Sequence, residues 1–298
     1  MGGRHSAAYA GLAAAHQQRL VNERFQSHAR DWDELYHRND LFSVIIRQRH
    51  ERALGWIDQL GLPAGSPVLE IGPGAGLMTA ALARRGFRVT AADSAPRMIE
   101  IARRRAAQAV TAQPNRADKG GLTARVGALL ADAHRLPVAG GSFSLVVALG
   151  VMPWLHSPQV AAAEMARVLR PGGYLVLNGA NRRRLSLLLD PWHSQALDRP
   201  RAVAKRALAA ARIRRPAPRP AVSAHRLAEF DQFVLRAGLQ PLRACTLGFG
   251  PFTMMRFRVL PGPLGVPLNA RLQRLADRGT PGLRSAGNDY LVLARHPG

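Results

Sequence analysis

Apolar positions along this chain follow two alternating periods. Short apolar runs bounded by Gly or Pro are separated by longer stretches at helical spacing, which predicts parallel strands joined by helices. The most complete run is Phe143 to Gly150 (FSLVVALG), near-continuously apolar, as expected of a central parallel strand buried on both faces. Pro67–Ile71 is a similar run that enters the glycine-rich turn Gly72–Gly76, with a helix over Leu77–Arg85 directly behind it. Gly86–Asp93 reads as a second strand ending in an acid, a third ends at Leu130, and Arg170–Asn178 is a tight turn into a fifth. Pro158–Leu169 reads as the helix before that fifth strand.

The flanks carry the same two signals. Residues 1–50 read as helices, and Leu41–Leu60 as an amphipathic helix broken by Gly61–Gly65. Ser223–Ala237 predicts a helix with Ser223 as N-cap and Gly238 past its end. Leu239–Leu247 and Asn288–Arg295 predict strands, separated by an apolar, Pro- and Gly-rich insertion over 248–287 with a short helix near 268–278. The chain thus divides into an N-terminal helical cap (1–62), an α/β core (63–180), a basic insertion or lid (181–222), and a C-terminal part of the core (223–298).

Charge adds a second theme. The 298 residues hold 42 Lys and Arg against 19 Asp and Glu, a net charge of +23. That balance suits nucleic acid, an anionic membrane surface or an acidic substrate, and equally an arginine-rich composition without a partner. The basic residues concentrate in 182–219, which reads as a solvated surface insertion or as a basic lid making peripheral contact with an anionic membrane or substrate. The single cysteine, Cys245, leaves no internal disulfide and no multi-cysteine metal site, so no metal is expected. It fits a reducing compartment, and the expected location is the cytoplasm. The longest run without Asp, Glu, Lys or Arg, 136–163, contains several Pro and Gly and does not read as a membrane span.

The glycine spacing narrows the chemistry. Glycine removes Cβ where the backbone turns sharply and a ligand comes close, and the helix behind points free N–H groups at that ligand. A dinucleotide fingerprint, G-x-G-x-x-G from Gly72, needs glycine at 77, where this chain has Leu77. The observed form is Glu70-x-Gly72-x-Gly74-x-Gly76. Asp93, at the end of the second strand, can accept from both hydroxyls of a ribose, and Asp93 or Ser94 can also cap the helix that starts near Pro96. Asp132, just after the third strand, can accept from an exocyclic adenine amine or serve as a turn carboxylate. Trp32 and Tyr36, one helical turn apart, offer aromatic surface for a lid.

These segments, with Ala131-Asp-Ala-His-Arg-Leu-Pro137 and Arg167-Val-Leu-Arg-Pro-Gly-Gly-Tyr174, stand in the order and spacing of the core of class I S-adenosylmethionine (SAM)-dependent methyltransferases. The resemblance covers residues 30–180 and is greatest to the small-molecule branch typified by quinone-biosynthesis C- and O-methyltransferases. It implies a Rossmann-like α/β fold: a seven-stranded, mostly parallel sheet with the last strand antiparallel and helices on both faces. It implies SAM as cofactor. Glu70, Gly72, Gly74 and Gly76 would line its methionine end, and Asp93 with Ser94 would hold the ribose. Met98, Asp132 and Ala133 would meet the adenine, with Leu149 and Gly150 beneath the sulfonium. Ser144 departs from the family, which usually has Asp there.

Methyl transfer asks the enzyme mainly for orientation and a dry site. An O–H or acidic C–H acceptor also needs a base, and His156, in Pro153-Trp-Leu-His156 after the fourth strand, is the candidate, with His134 and His37 as alternatives. Trp32, Tyr36, Trp154 and Phe252 are the candidate acceptor contacts, and the apolar 248–264 stretch suggests an apolar or lipid-like acceptor. Two rival readings use the basic surface: an RNA-directed methyltransferase, and a SAM-binding protein without catalysis. Val151-Met-Pro-Trp154 lacks the polar residue and first proline of exocyclic-amine base methyltransferases, and no cysteine nucleophile stands there.

Overall fold

The computed structural model describes residues 2–28, 34, 38–111, 126–190, 200, 203, 219–254 and 257–298. Trp32, Tyr36, His37 and most of the basic stretch 182–219 lie outside the described residues.

Seven strands form one sheet: β1 (Pro67–Ile71), β2 (Arg88–Asp93), β3 (Val126–Leu130), β4 (Phe143–Ala148), β5 (Leu169–Ala180), β6 (Gln240–Leu247) and β9 (Asp289–Arg295). Their order is β3-β2-β1-β4-β5-β9-β6. The first five run parallel, and β9 pairs antiparallel with both β5 and β6, the arrangement the resemblance implies. A two-residue hairpin, β7 (Thr253–Met254) with β8 (Phe257–Arg258), stands apart.

Alternation along the central strands sorts side chains into two cores. Leu69, Val146, Leu175 and Val292 face one side, under α5 (Pro158–Val168) and α7 (Leu227–Arg236). Val68, Leu145, Val176 and Leu291 face the other, under α2 (Leu41–Asp58) and α3 (Leu77–Arg84). Every residue of β4 is buried, as its unbroken apolar run requires. Ser144, in that strand, is fully buried, and its Oγ has no hydrogen-bond partner among the described residues.

α1 (Gly2–Ser27) lies over α4 (Pro96–Thr111). Among the described residues, no helix is long and apolar enough to cross a membrane.

Two local expectations change and one is met. α7 starts at Leu227, not at Ser223. The Glu229 carboxylate accepts from the Arg226 N–H at 3.0 Å, satisfying one donor at that terminus. Ser223 instead donates both its N–H (2.7 Å) and its Oγ–H (3.2 Å) to the Pro153 carbonyl, tying its loop to the turn after β4. The helix expected near 268–278 is α8, Gly262–Asp277. Pro263 in its first turn costs no hydrogen bond, because those N–H groups have no helical partner. Asp93 does act at a helix start: its Oδ1 accepts from the Ala95 N–H at 2.8 Å, just before α4.

Gly76 and Gly141 both adopt left-handed backbone (φ 79° and 69°), but their surroundings differ. A Cβ on Gly141 meets nothing within 4 Å, whereas one on Gly76 would sit 2.6 Å from the Cα of Ala102 in α4. Gly141→Ala is therefore expected to cost only the left-handed penalty, about 1–2 kcal/mol. Gly76→Ala must also displace a helix backbone and should cost about 1–3 kcal/mol more. Urea unfolding of the two variants checks this; equal losses would show that the α3–α4 approach is not constrained by Gly76.

Candidate active site

A cleft of about 940 Å³, open mouth included, lies at the carboxyl ends of β1, β2 and β4. That edge is where open α/β sheets bind ligands. Gly72 (φ 65°) and Gly74 (φ 55°) form its floor. A Cβ on Gly72 would come within 2.5 Å of Val151 Cγ2 and would sit on left-handed backbone, so the turn beneath the cleft favours glycine there.

Two acids of the strand ends face the same space. Glu70 is buried on β1, and its Oε2 accepts from Thr79 Oγ1 of α3 at 2.5 Å. Burial pushes its pKa up to about 7, against the lowering effect of the Thr79 bond. Burial likewise raises Asp93 to about 6. Asp132 follows β3, and its Oδ1 accepts from the His134 N–H (2.9 Å) and Nδ1 (2.6 Å). Those bonds hold Asp132 below the usual carboxylate range.

Ten of the residues expected at the cofactor line this one cleft: Glu70, Gly72, Gly74, Asp93, Ser94, Met98, Asp132, Ala133, Leu149 and Gly150. Gly76 does not; as N-cap of α3, it sets the approach of α4. Trp154 lines the cleft, edge-on to Phe25 at 5.3 Å and beneath the Arg24 guanidinium at 5.4 Å. Phe252 does not: it packs with Phe249, Ala276 and Ala286 in a separate small core. Trp32 and Tyr36 lie outside the described residues.

His156 is also absent from the cleft wall. Its ring stacks on His134 (centroids 3.7 Å apart, 9° between planes) and faces an outer groove under α1, beside Asp132. Ligand atoms of Asp132, His134 and His156 lie within 4.8 Å of one another. Both nitrogens of His134 are already engaged, Nδ1 with Asp132 and Nε2 as acceptor from the Ser157 N–H at 3.2 Å. Hydrogen bonds with Asp132 and Ser157 and the stacked His156 ring thus hold the His134 imidazole, which secures Asp132.

Most of the unanticipated polar residues come from the two N-terminal helices. Gln18, Val21 and Phe25 of α1 cover the cleft. Gln18 Nε2 donates to Ser94 Oγ at 2.9 Å, and Ser94 Oγ–H donates to Asn22 Oδ1 at 2.7 Å, which docks α1 beside Asp93. Arg49 and His50 of α2 reach in from the opposite side. His50 is half-buried, its Nδ1–H donates to the Ile46 carbonyl (2.9 Å), and desolvation lowers its pKa to about 4. The signal for this pair was present: Arg49 and His50 sit one turn from buried Ile45, Ile46 and Ala53, on the apolar face of an amphipathic helix. A cation on such a face needs an internal partner or a ligand.

Comparison with known proteins bears on this geometry. Residues 69–177 match the family described as a methyltransferase domain. The chain is 30% identical over 161 residues to a ubiquinone biosynthesis O-methyltransferase of Paracidovorax citrulli, covering 53% of this chain and 63% of the relative. It is 31% identical over 144 residues to a demethylmenaquinone methyltransferase of Tropheryma whipplei, covering 48% and 53%. The chain therefore spans less than two thirds of the length of these relatives. Among solved structures, magnesium protoporphyrin IX methyltransferase from Synechocystis, with bound S-adenosylhomocysteine, superposes with a TM-score of 0.59 at 15% identity, covering 94% of this chain and 99% of that one. Over residues 69–177 the chain is thus similar to methyltransferase domains, those of the quinone-biosynthesis enzymes among them, and its sheet has the fold of a SAM-dependent methyltransferase.

Proposed function

We propose that the protein transfers the methyl group of SAM to a small acceptor with an apolar body. The observation that carries this reading is the convergence of the glycine turn, Asp93, Asp132 and Arg49 on one cleft. The donor set fits the cofactor part by part. Asp93 offers a buried carboxylate to the ribose hydroxyls, and Asp132 offers acceptor oxygens to the adenine amine. Glu70 would meet the ammonium of the amino-acid arm, and Arg49 its carboxylate. The bare backbone at Gly72 lets Val151 pack directly against the turn that floors the cleft.

SAM, when bound, supplies a methyl group already activated on a cationic sulfur. The chain's own part is to orient the two reactants and exclude water. Phe25, Val151, Trp154 and Leu155 give the cleft an apolar wall, which supports an apolar acceptor more directly than Phe252 does. The quinone-pathway names of two relatives agree with such a molecule. His50 replaces His156 as the candidate to take the acceptor's proton, because His50 lines the cleft and His156 does not. His50→Gln should keep S-adenosylhomocysteine affinity within twofold while abolishing turnover in a screen of phenolic and quinol acceptors; unchanged turnover would remove His50 from the reaction.

Calorimetric titration of SAM should show micromolar binding to the wild type, weakened tenfold or more in Asp93→Ala, a change of about 1.4 kcal/mol. An Asp93→Ala affinity equal to that of the wild type would reject the ribose assignment.

The two raised carboxylates predict opposite responses to pH. Because Glu70 is pushed up in the folded protein, folding takes up its proton between the ordinary glutamate range and about 7, and stability from this group falls as pH rises across that window. The melting temperature of Glu70→Gln relative to wild type should thus climb from pH 5 to 7 and stay level above. Cofactor affinity should move the other way, weakening as pH falls through about 6, where Asp93 protonates and stops accepting from both hydroxyls. A pH-independent difference in melting temperature, or affinity flat from pH 7.5 to 5.5, would contradict these assignments.

A further inference from the structure

A closed ring of buried polar contacts lies under the cleft and joins four elements. Gly150, in left-handed backbone (φ 77°) just past β4, donates its N–H to Asn178 Oδ1 at 2.6 Å. Asn178, fully buried on β5, donates Nδ2–H to Asp289 Oδ1 at 3.2 Å. Asp289 Oδ2 accepts from Arg49 Nη1 of α2 at 3.5 Å. The ring closes by packing, since a Cβ on Gly150 would sit 3.2 Å from Arg49 Nη2. The Arg49 and Asp289 side chains are only 12% and 17% exposed. Arg49 Nε is buried and has no hydrogen-bond partner among the described residues, although the side chain lines the cleft.

The direction of each contact is fixed by chemistry. The Gly150 N–H can only donate, so Asn178 must present its oxygen there. As the carboxylate that the Arg49 and Arg184 guanidinium groups favour, against the burial that raises its pKa, Asp289 accepts from the amide NH₂ and the guanidinium. Asp289 is therefore the one anion that sets both the Asn178 amide and the Arg49 guanidinium. A second cation, Arg184, also acts on it electrostatically. Removing the anion would leave a buried guanidinium without its counter-charge. Topology supplies the residue: β9 runs antiparallel, so its first residue, Asp289, arrives at the sheet edge where the parallel strands end.

We propose that Asp289 is a positioning residue for methyl transfer. It does not line the cleft; it holds Arg49 toward the carboxylate of the cofactor's amino-acid arm. This rests on the reading that the cleft takes SAM.

The test compares S-adenosylhomocysteine with 5′-methylthioadenosine, which lacks the amino-acid arm, on wild type, Arg49→Met, Asp289→Asn and the double variant, by calorimetry. S-adenosylhomocysteine should weaken tenfold or more in Arg49→Met and fivefold or more in Asp289→Asn. 5′-Methylthioadenosine should stay within twofold throughout. The double variant should bind S-adenosylhomocysteine within twofold of Arg49→Met, because Asp289 acts through Arg49. Asp289→Ser, read the same way, replaces Asp289→Asn if that variant does not fold. Three results would overturn the proposal: wild-type affinity in Asp289→Asn, equal loss of both ligands there, or independent losses that multiply in the double variant. If the wild type binds neither ligand, the cofactor reading itself fails, and the positioning role with it.

Discussion

The backbone turn at Gly72–Gly76 constrains everything built at the carboxyl edge of the sheet. Three left-handed glycines within five residues bring β1 down, under Val151, and into α3. Gly72 clears the cleft floor and Gly76 lets α3 and α4 meet. The turn has two jobs, one facing a ligand and one facing a helix, and each is met by the absence of a Cβ. The strand ends then place Glu70, Asp93 and Asp132 around the space the turn leaves open.

That space collects charge at a cost. Glu70 and Asp93 resist ionisation because they are buried, and Asp289 does so despite two nearby guanidinium groups. Carboxylates held this way are poorly compensated until a ligand supplies donors, and perturbed groups gathered in one cleft are characteristic of functional sites. Asp132 differs: His134 donates to it twice, so it stays ionised and fixed while Ser157 and His156 hold the imidazole. His156 thus contributes to the support of Asp132, not to the cleft wall.

The strands were legible because burial on two faces leaves a plain signature. The unbroken run of β4 and the Glu70-to-Gly76 spacing predicted both the centre of the sheet and the floor of the cleft. Ser223 misled because an N-cap residue and a loop anchor carry the same hydroxyl, and only the fold shows that Pro153 takes its hydrogen bonds. Phe252 misled because an apolar insertion can satisfy itself, as it does here against Phe249 and Ala276. The roof of the cleft was the least legible part. α1 reaches Ser94 through Gln18 and Asn22, contacts more than seventy residues apart in sequence that no local pattern encodes. Arg49 could have been found as a cation on an apolar helix face, but its partner Asp289 lies 240 residues away.

The most direct measurement of the account is the structure of crystals grown with S-adenosylhomocysteine. The account predicts ligand density in this cleft, with the ribose on Asp93, the adenine between Met98 and Asp132, and the amino-acid arm reaching Arg49. Density elsewhere on the chain, or an arm pointing away from Arg49 with Asp93 unengaged, would contradict it.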